Sequence, residues 1–129
     1  PKRLAMIVAV LSRHARVALG GADVFVNVAG GVRIDEPGAD LAIALAIVSA
    51  AKGAPVRAGT AAFGEVGLTG RLRPATQSER RLEECAKLGL VAAVAPTGTP
   101  VRGKLRVLQA ETLREAAKAG IDAERAEPG

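Results

Sequence analysis

The residue types that could do chemistry crowd one corner of the sequence. Asn27-Val28-Ala29-Gly30-Gly31 runs into Val32-Arg33-Ile34-Asp35-Glu36-Pro37-Gly38-Ala39-Asp40, and the apolar run Leu41 to Val48 follows. The pattern reads as a strand end, a Gly-rich turn, an acidic corner and the start of a buried helix. A helix start offers unpaired N–H groups and a positive dipole, so a nucleophile or a bound anion is the chemistry to look for there. No Ser, Thr or Cys lies between Asn27 and Val48. Three carboxylates do: Asp35, Glu36 and Asp40. A capped helix entry with solvated charges is the preferred reading over a carboxylate metal site, and no metal is expected.

The rest of the inventory excludes more. The single histidine, His14, and the single cysteine, Cys85, rule out a multi-His or Cys-based metal site and an internal disulfide. A Ser-His-Asp set is not credible: Ser12, Ser49 and Ser78 lack loop contexts shaped for a nucleophile. No glycine-rich string carries the Lys-Ser/Thr pair of a phosphate-binding loop. No cofactor is expected within this chain.

The elements that must position the corner follow from periodicity. Leu4, Ile7, Val8 and Leu11 predict a basic amphipathic helix over 3–16. Val24, Val26 and Val28 alternate as a strand, and Arg33-Ile34 suits a second short one. Residues 39–51 are apolar almost all round, predicting a helix buried at the centre and ended by Gly53 and Pro55. Residues 61–73 suit two short strands with a turn at Thr69-Gly70. Thr76-Gln77-Ser78-Glu79 reads as a capping box opening a helix with Leu82, Cys85 and Ala86 inward. Strands are expected at 90–95 and 105–108, and a last helix at 111–118, stopping at Gly120. Together these predict one α/β domain over 1–120, a mixed sheet packed with helices, and a frayed tail over 121–129.

The chain has 129 residues, 49% hydrophobic and 24% charged, with a net charge of +5. Only Phe25 and Phe63 are aromatic, so stacking on bases is nearly ruled out as a binding device. The longest apolar run is too short to cross a bilayer, and no membrane partner is expected. One cysteine suits a reducing, cytoplasmic compartment. The start at Pro1, without Met, suggests a piece of a longer protein. Basic residues cluster without acids over 1–20 and over 100–106, which suggests contact with a polyanion.

Four stretches then carry a specific resemblance. These are Asp23 to Arg33, Glu36-Pro37-Gly38-Ala39-Asp40-Leu41-Ala42, Phe63 to Pro74, and Glu79-Arg80-Arg81-Leu82 with Ala86-Lys87-Leu88-Gly89. In order and spacing they resemble the C-terminal Lon protease-like domain of the bacterial RadA (Sms) family of RecA paralogues, from about Arg3 to Pro96. The resemblance implies a Lon proteolytic-domain-like fold, akin to ribosomal protein S5 domain 2.

Active Lon domains use a Ser-Lys dyad, and the resemblance places the serine position at Gly38 and the lysine position at Glu79. Neither side chain can do its counterpart's work, so a pseudo-protease is implied. The resemblance further implies a DNA repair and recombination ATPase as the parent. Its zinc finger and RecA-like core, with Zn, ATP and Mg, would lie outside this chain. The parent would act on single-stranded or branched DNA as a homohexameric ring in the bacterial cytoplasm, at the nucleoid.

What remains for this domain is DNA contact and ring scaffolding. Candidates for phosphate contact are Arg33, Arg71, Arg73, Arg80, Arg81, Lys87, Arg102, Lys104 and Arg106. Arg33, Arg71 and Arg73 are expected to share one surface. Asp35, Glu36 and Glu65 are candidates for pairing with a neighbouring subunit. The alternative is a residual Ser-Lys-type peptidase or a peptide-binding relic of one.

Overall fold

The computed structural model of the chain describes residues 6, 7, 9, 10, 37–101, 103–122 and 124. The expected strand at 24–28, the Gly30-Gly31 turn, the Arg33-Ile34 strand, His14 and most of the tail lie outside them. Met6, Ile7, Ala9 and Val10 are helical, in line with the first predicted helix, and Ile7 and Val10 are buried.

A short 3-10 turn, Pro37–Ala39, leads into helix α1, Asp40–Lys52. Pro37 suits this start because its missing N–H would be unpaired there anyway. Gly53 ends the helix at φ 62°, in the left-handed region that glycine reaches without strain. Leu41, Ile43, Ala44, Leu45, Ile47 and Val48 are buried, but Ala42, Ala46 and Ala50 are exposed. The helix is therefore not enclosed on every side as its apolar sequence predicts. Alanine loses least when left in water and is the best helix former, so an alanine stripe can serve as an outer face.

Among the described residues three strands form a parallel sheet in the order β1 (Thr60–Ala62), β4 (Ala92–Pro96), β5 (Arg106–Ala110). Between β1 and β4 come β2 (Glu65–Val66) and β3 (Leu72–Arg73), a separate antiparallel ribbon, and helix α2 (Ser78–Lys87). Helix α3, Leu113–Gly120, follows β5. Among the described residues the expected mixture of parallel and antiparallel pairing is divided between two sheets. Sequence pattern merged β1 with the ribbon, because Thr60-Ala61-Ala62 shows no alternation of its own.

Every residue of β4 is buried, as befits a central parallel strand covered on both faces. Val94 faces a core shared with α1 and α3, including Leu41, Leu45, Val48, Leu113 and Ala116. Ala93 and Ala95 face a second core with Phe63, Leu82, Cys85 and Leu105. The molecule is therefore layered: α1 and α3, then the sheet, then α2. The connection 97–105 returns to start β5 parallel to β4 without a helix, and Leu105 fills space beside α2. Ala86 is exposed rather than inward, since Leu82 and Cys85 already span the inner face of α2.

The expected capping box at Thr76 does not form. Gln77 precedes α2 at φ 55° and caps nothing with its side chain. The Ser78 hydroxyl instead donates to the Ala75 carbonyl at 2.8 Å, and Arg81 Nε donates to the Thr76 carbonyl at 2.9 Å. A variant of the capping box opens α3, with the returning bond made to the residue before the N-cap. Thr112 Oγ1 accepts from the Glu115 N–H at 3.2 Å, and Glu115 Oε2 accepts from the Glu111 N–H at 2.9 Å.

Gly64 joins the layers. Its N–H donates to the Gly38 carbonyl at 3.0 Å, and its own carbonyl accepts from the Leu41 N–H at 3.1 Å. With φ at 151°, a Cβ here would stand 2.8 Å from Pro96 Cγ. Gly64→Ala is therefore expected to cost about 2–4 kcal/mol through strain and overpacking, read as a lowered midpoint in chemical denaturation.

Candidate nucleic-acid interface

Parallel sheets tend to place ligands outside the carboxyl ends of their strands. The 3-10 turn with Gly38 sits at that end here, because its backbone meets Gly64 just beyond β1, and Gly64 meets Pro96 at the end of β4. Helix α2 runs back along the sheet, since only a short loop separates Lys87 from the first residue of β4. Its first turn, with Glu79, therefore lies toward the same end. Gly38 is buried and Glu79 is exposed. These two positions carry neither hydroxyl nor amine.

Asp40 is fully buried in the first turn of α1, and its Oδ2 accepts from the Val66 N–H at 3.0 Å. Asp40, expected as one of the solvated charges of the helix entry, is thus enclosed instead. Its partner lies in β2, too far along the chain for periodicity to reveal. Among the described residues no group of three His, Cys, Asp or Glu side chains could hold a metal ion.

The ribbon carries two of the expected basic residues on one face. Arg71 and Arg73 alternate around Leu72, which packs inward against the core. Their side chains are 70% and 67% exposed. Arg71 Nη2 stands 3.8 Å from Glu111 Oε2, and Arg73 Nη1 stands 4.0 Å from Glu65 Oε1. Glu65, expected to face a neighbouring subunit, thus lies opposite Arg73 within its own chain. An exposed pair of this length contributes only about 0–1 kcal/mol, so a phosphate could displace Glu111 from Arg71.

The remaining candidates divide between two ends. Arg80 and Arg81 stand in the first turns of α2, toward the carboxyl ends of the strands, with Arg81 anchored on Thr76. Lys87 ends α2, and Lys104 and Arg106 stand where β5 begins, at the opposite end. Lys87 Nζ also lies 3.9 Å from Glu84 Oε1. Strand β4 separates the two groups by roughly 13 Å of rise. Arg71, Arg73, Arg80 and Arg81 therefore form one basic end, and Lys87, Lys104 and Arg106 another. Arg33, Asp35, Glu36 and Arg102 lie outside the described residues, so the expected surface is described for Arg71 and Arg73.

Sequence reasoning missed Arg57, whose Nε donates to the Ala119 carbonyl at 2.9 Å and so favours the negative end of α3. Cys85 is buried against α2's core, and burial pushes its thiol pKa up. It is a packing residue, not a nucleophile.

Comparison with known proteins bears on this arrangement. DNA repair protein RadA of Haemophilus influenzae is 40% identical over 113 residues, covering 88% of this chain and 25% of that protein. RadA of Escherichia coli K12 is 46% identical over 94 residues, covering 73% of this chain and 20% of that protein. RadA of Mycobacterium tuberculosis H37Rv is 40% identical over 121 residues. The chain spans about a quarter of the length of these curated relatives, or less. A family model, that of subunit ChlI of Mg-chelatase, matches residues 4–99, a span that holds the 3-10 turn, α1, the ribbon, α2 and β4. By that match the chain belongs to the ChlI family.

Proposed function

We propose that this chain is a Lon protease-like domain, related in fold to ribosomal protein S5 domain 2, that has lost its proteolytic chemistry. It serves a DNA repair protein as a module for binding DNA and scaffolding a ring. The observation that carries the DNA reading is the pair Arg71 and Arg73, both well exposed on one face of an anchored ribbon. Relatives that match this chain are named DNA repair protein RadA, which supports the same reading. Phosphate contact needs guanidinium groups but no base order, so the affinity is electrostatic and independent of sequence.

The loss of proteolysis rests on Gly38 and Glu79. A Ser-Lys dyad needs a hydroxyl at the helix entry and an amine to activate it, and these positions supply neither. In this reading the parent is a bacterial, nucleoid-associated ATPase that assembles as a hexamer on single-stranded or branched DNA. Its ATP, Mg and Zn sites lie outside this chain.

Binding to a labelled single strand and to a branched duplex, followed by fluorescence anisotropy across a salt series, tests the DNA role. Affinity is expected to fall steeply with salt. Charge reversal of both Arg71 and Arg73 is expected to reduce the slope of log affinity against log salt by about 1–2. An unchanged slope removes the ribbon from the interface. Incubation with unfolded casein is expected to give no cleavage; cleavage by the purified chain would favour the peptidase relic instead.

A further inference from the structure

The tip of the ribbon holds a feature that phosphate contact does not use. The turn Gly67-Leu68-Thr69-Gly70 leaves Leu68 74% exposed. Single exposed apolar side chains are ordinary on protein surfaces, and Leu88, Val91 and Val101 are others here. Leu68 differs in what holds it. The Gly67 N–H donates to the Arg71 carbonyl at 2.8 Å, and the Gly70 N–H donates to the Gly67 carbonyl at 3.0 Å. Behind the turn, Val66 is tied to Asp40, the Leu72 N–H donates to the Glu111 carbonyl at 2.8 Å, and the Leu113 N–H donates to the Gly70 carbonyl at 2.8 Å. The ribbon is thus fixed to both α1 and the start of α3.

The tip is also slim. Glycines flank Leu68 and Thr69 on both sides, so these two side chains alone project from the turn. Gly67 has a second reason to be glycine: a Cβ there would stand 3.1 Å from the Arg71 carbonyl and 3.6 Å from Arg73 Nε and Nη2. The Arg73 guanidinium therefore lies against the turn itself. An apolar side chain on a rigid two-stranded ribbon, flanked by two exposed arginines, matches how proteins wedge duplex DNA. The ribbon fits a groove, the cations hold the phosphates, and the apolar group enters between two base pairs.

We infer that Leu68 is an apolar wedge that inserts between neighbouring bases of duplex or branched DNA while Arg71 and Arg73 hold the adjoining phosphates. This rests on the DNA-binding role proposed above and adds to it a contact with base faces. Phe63 is buried, so among the described residues no aromatic ring is placed to stack. A leucine needs no ring, because it gains by leaving water and filling the gap between unstacked bases. Flexible pyrimidine–purine steps, and the unpaired bases at a branch point, would open to it most readily.

The test uses the full chain with duplex and three-way branched DNA carrying 2-aminopurine, whose fluorescence rises when its neighbours unstack. The unaltered chain is expected to raise that signal at a pyrimidine–purine step and at the branch point. Leu68→Ala is expected to lose most of the rise while keeping affinity within about threefold and the same salt slope, because the phosphate contacts remain. Leu68→Met is expected to restore it. An undiminished rise with Leu68→Ala overturns the wedge, as does a loss of self-association in sedimentation with DNA binding unaltered, which would assign the tip to a protein contact. If the unaltered chain shows no salt-dependent DNA binding, the DNA role itself fails, separately from the wedge.

Discussion

A carboxylate with no exposed surface ties the central helix to the ribbon. Asp40 stands in the first turn of α1 and accepts the Val66 N–H, so one bond joins the helix entry to β2. A buried carboxylate is costly to strip of water unless it is hydrogen-bonded. Here the N–H of Val66 supplies such a bond. The direction in which the ribbon leaves the sheet follows from that bond together with the bonds to Glu111 and Leu113. What Arg71, Arg73 and Leu68 can reach is settled by these anchors.

Much of the layout is legible in the sequence. The apolar run beginning at Leu41, the glycine after Lys52 and the amphipathic pattern of Leu82 and Cys85 are local signals, and local signals survive folding. What failed did so for identifiable reasons. Thr76 offers the right letters for a capping box, but Gln77 adopts a left-handed conformation and moves the helix start past it. Alanine counts as apolar in a periodicity yet stands outside at Ala42, Ala46 and Ala50. β1 is short and built of small residues, so no alternation marks it.

The site is less legible than the fold. A list of arginines and lysines has no geometry, and only the direction of α2 and of β5 separates Arg80 and Arg81 from Lys87 and Arg106. Glu65 illustrates the same limit. Its partner Arg73 is close only through the antiparallel register of the ribbon. Asp40 was visible as a charge near a helix start, but its role depends on a backbone group in another element. Gly38 is the exception: a helix entry without a hydroxyl can be read directly from the sequence.

The parallel sheet also orders how the chain can fold. Residues paired between β4 and β5 stand less than half as far apart in the chain as those paired between β1 and β4. Closing the shorter loop loses less chain entropy, so β4, β5 and α3 form the natural nucleus. β1 must wait until the ribbon and α2 have been gathered into the intervening loop. Gly64 then meets Pro96 after that pairing, so among the described residues the junction beside Gly38 closes across the longer loop.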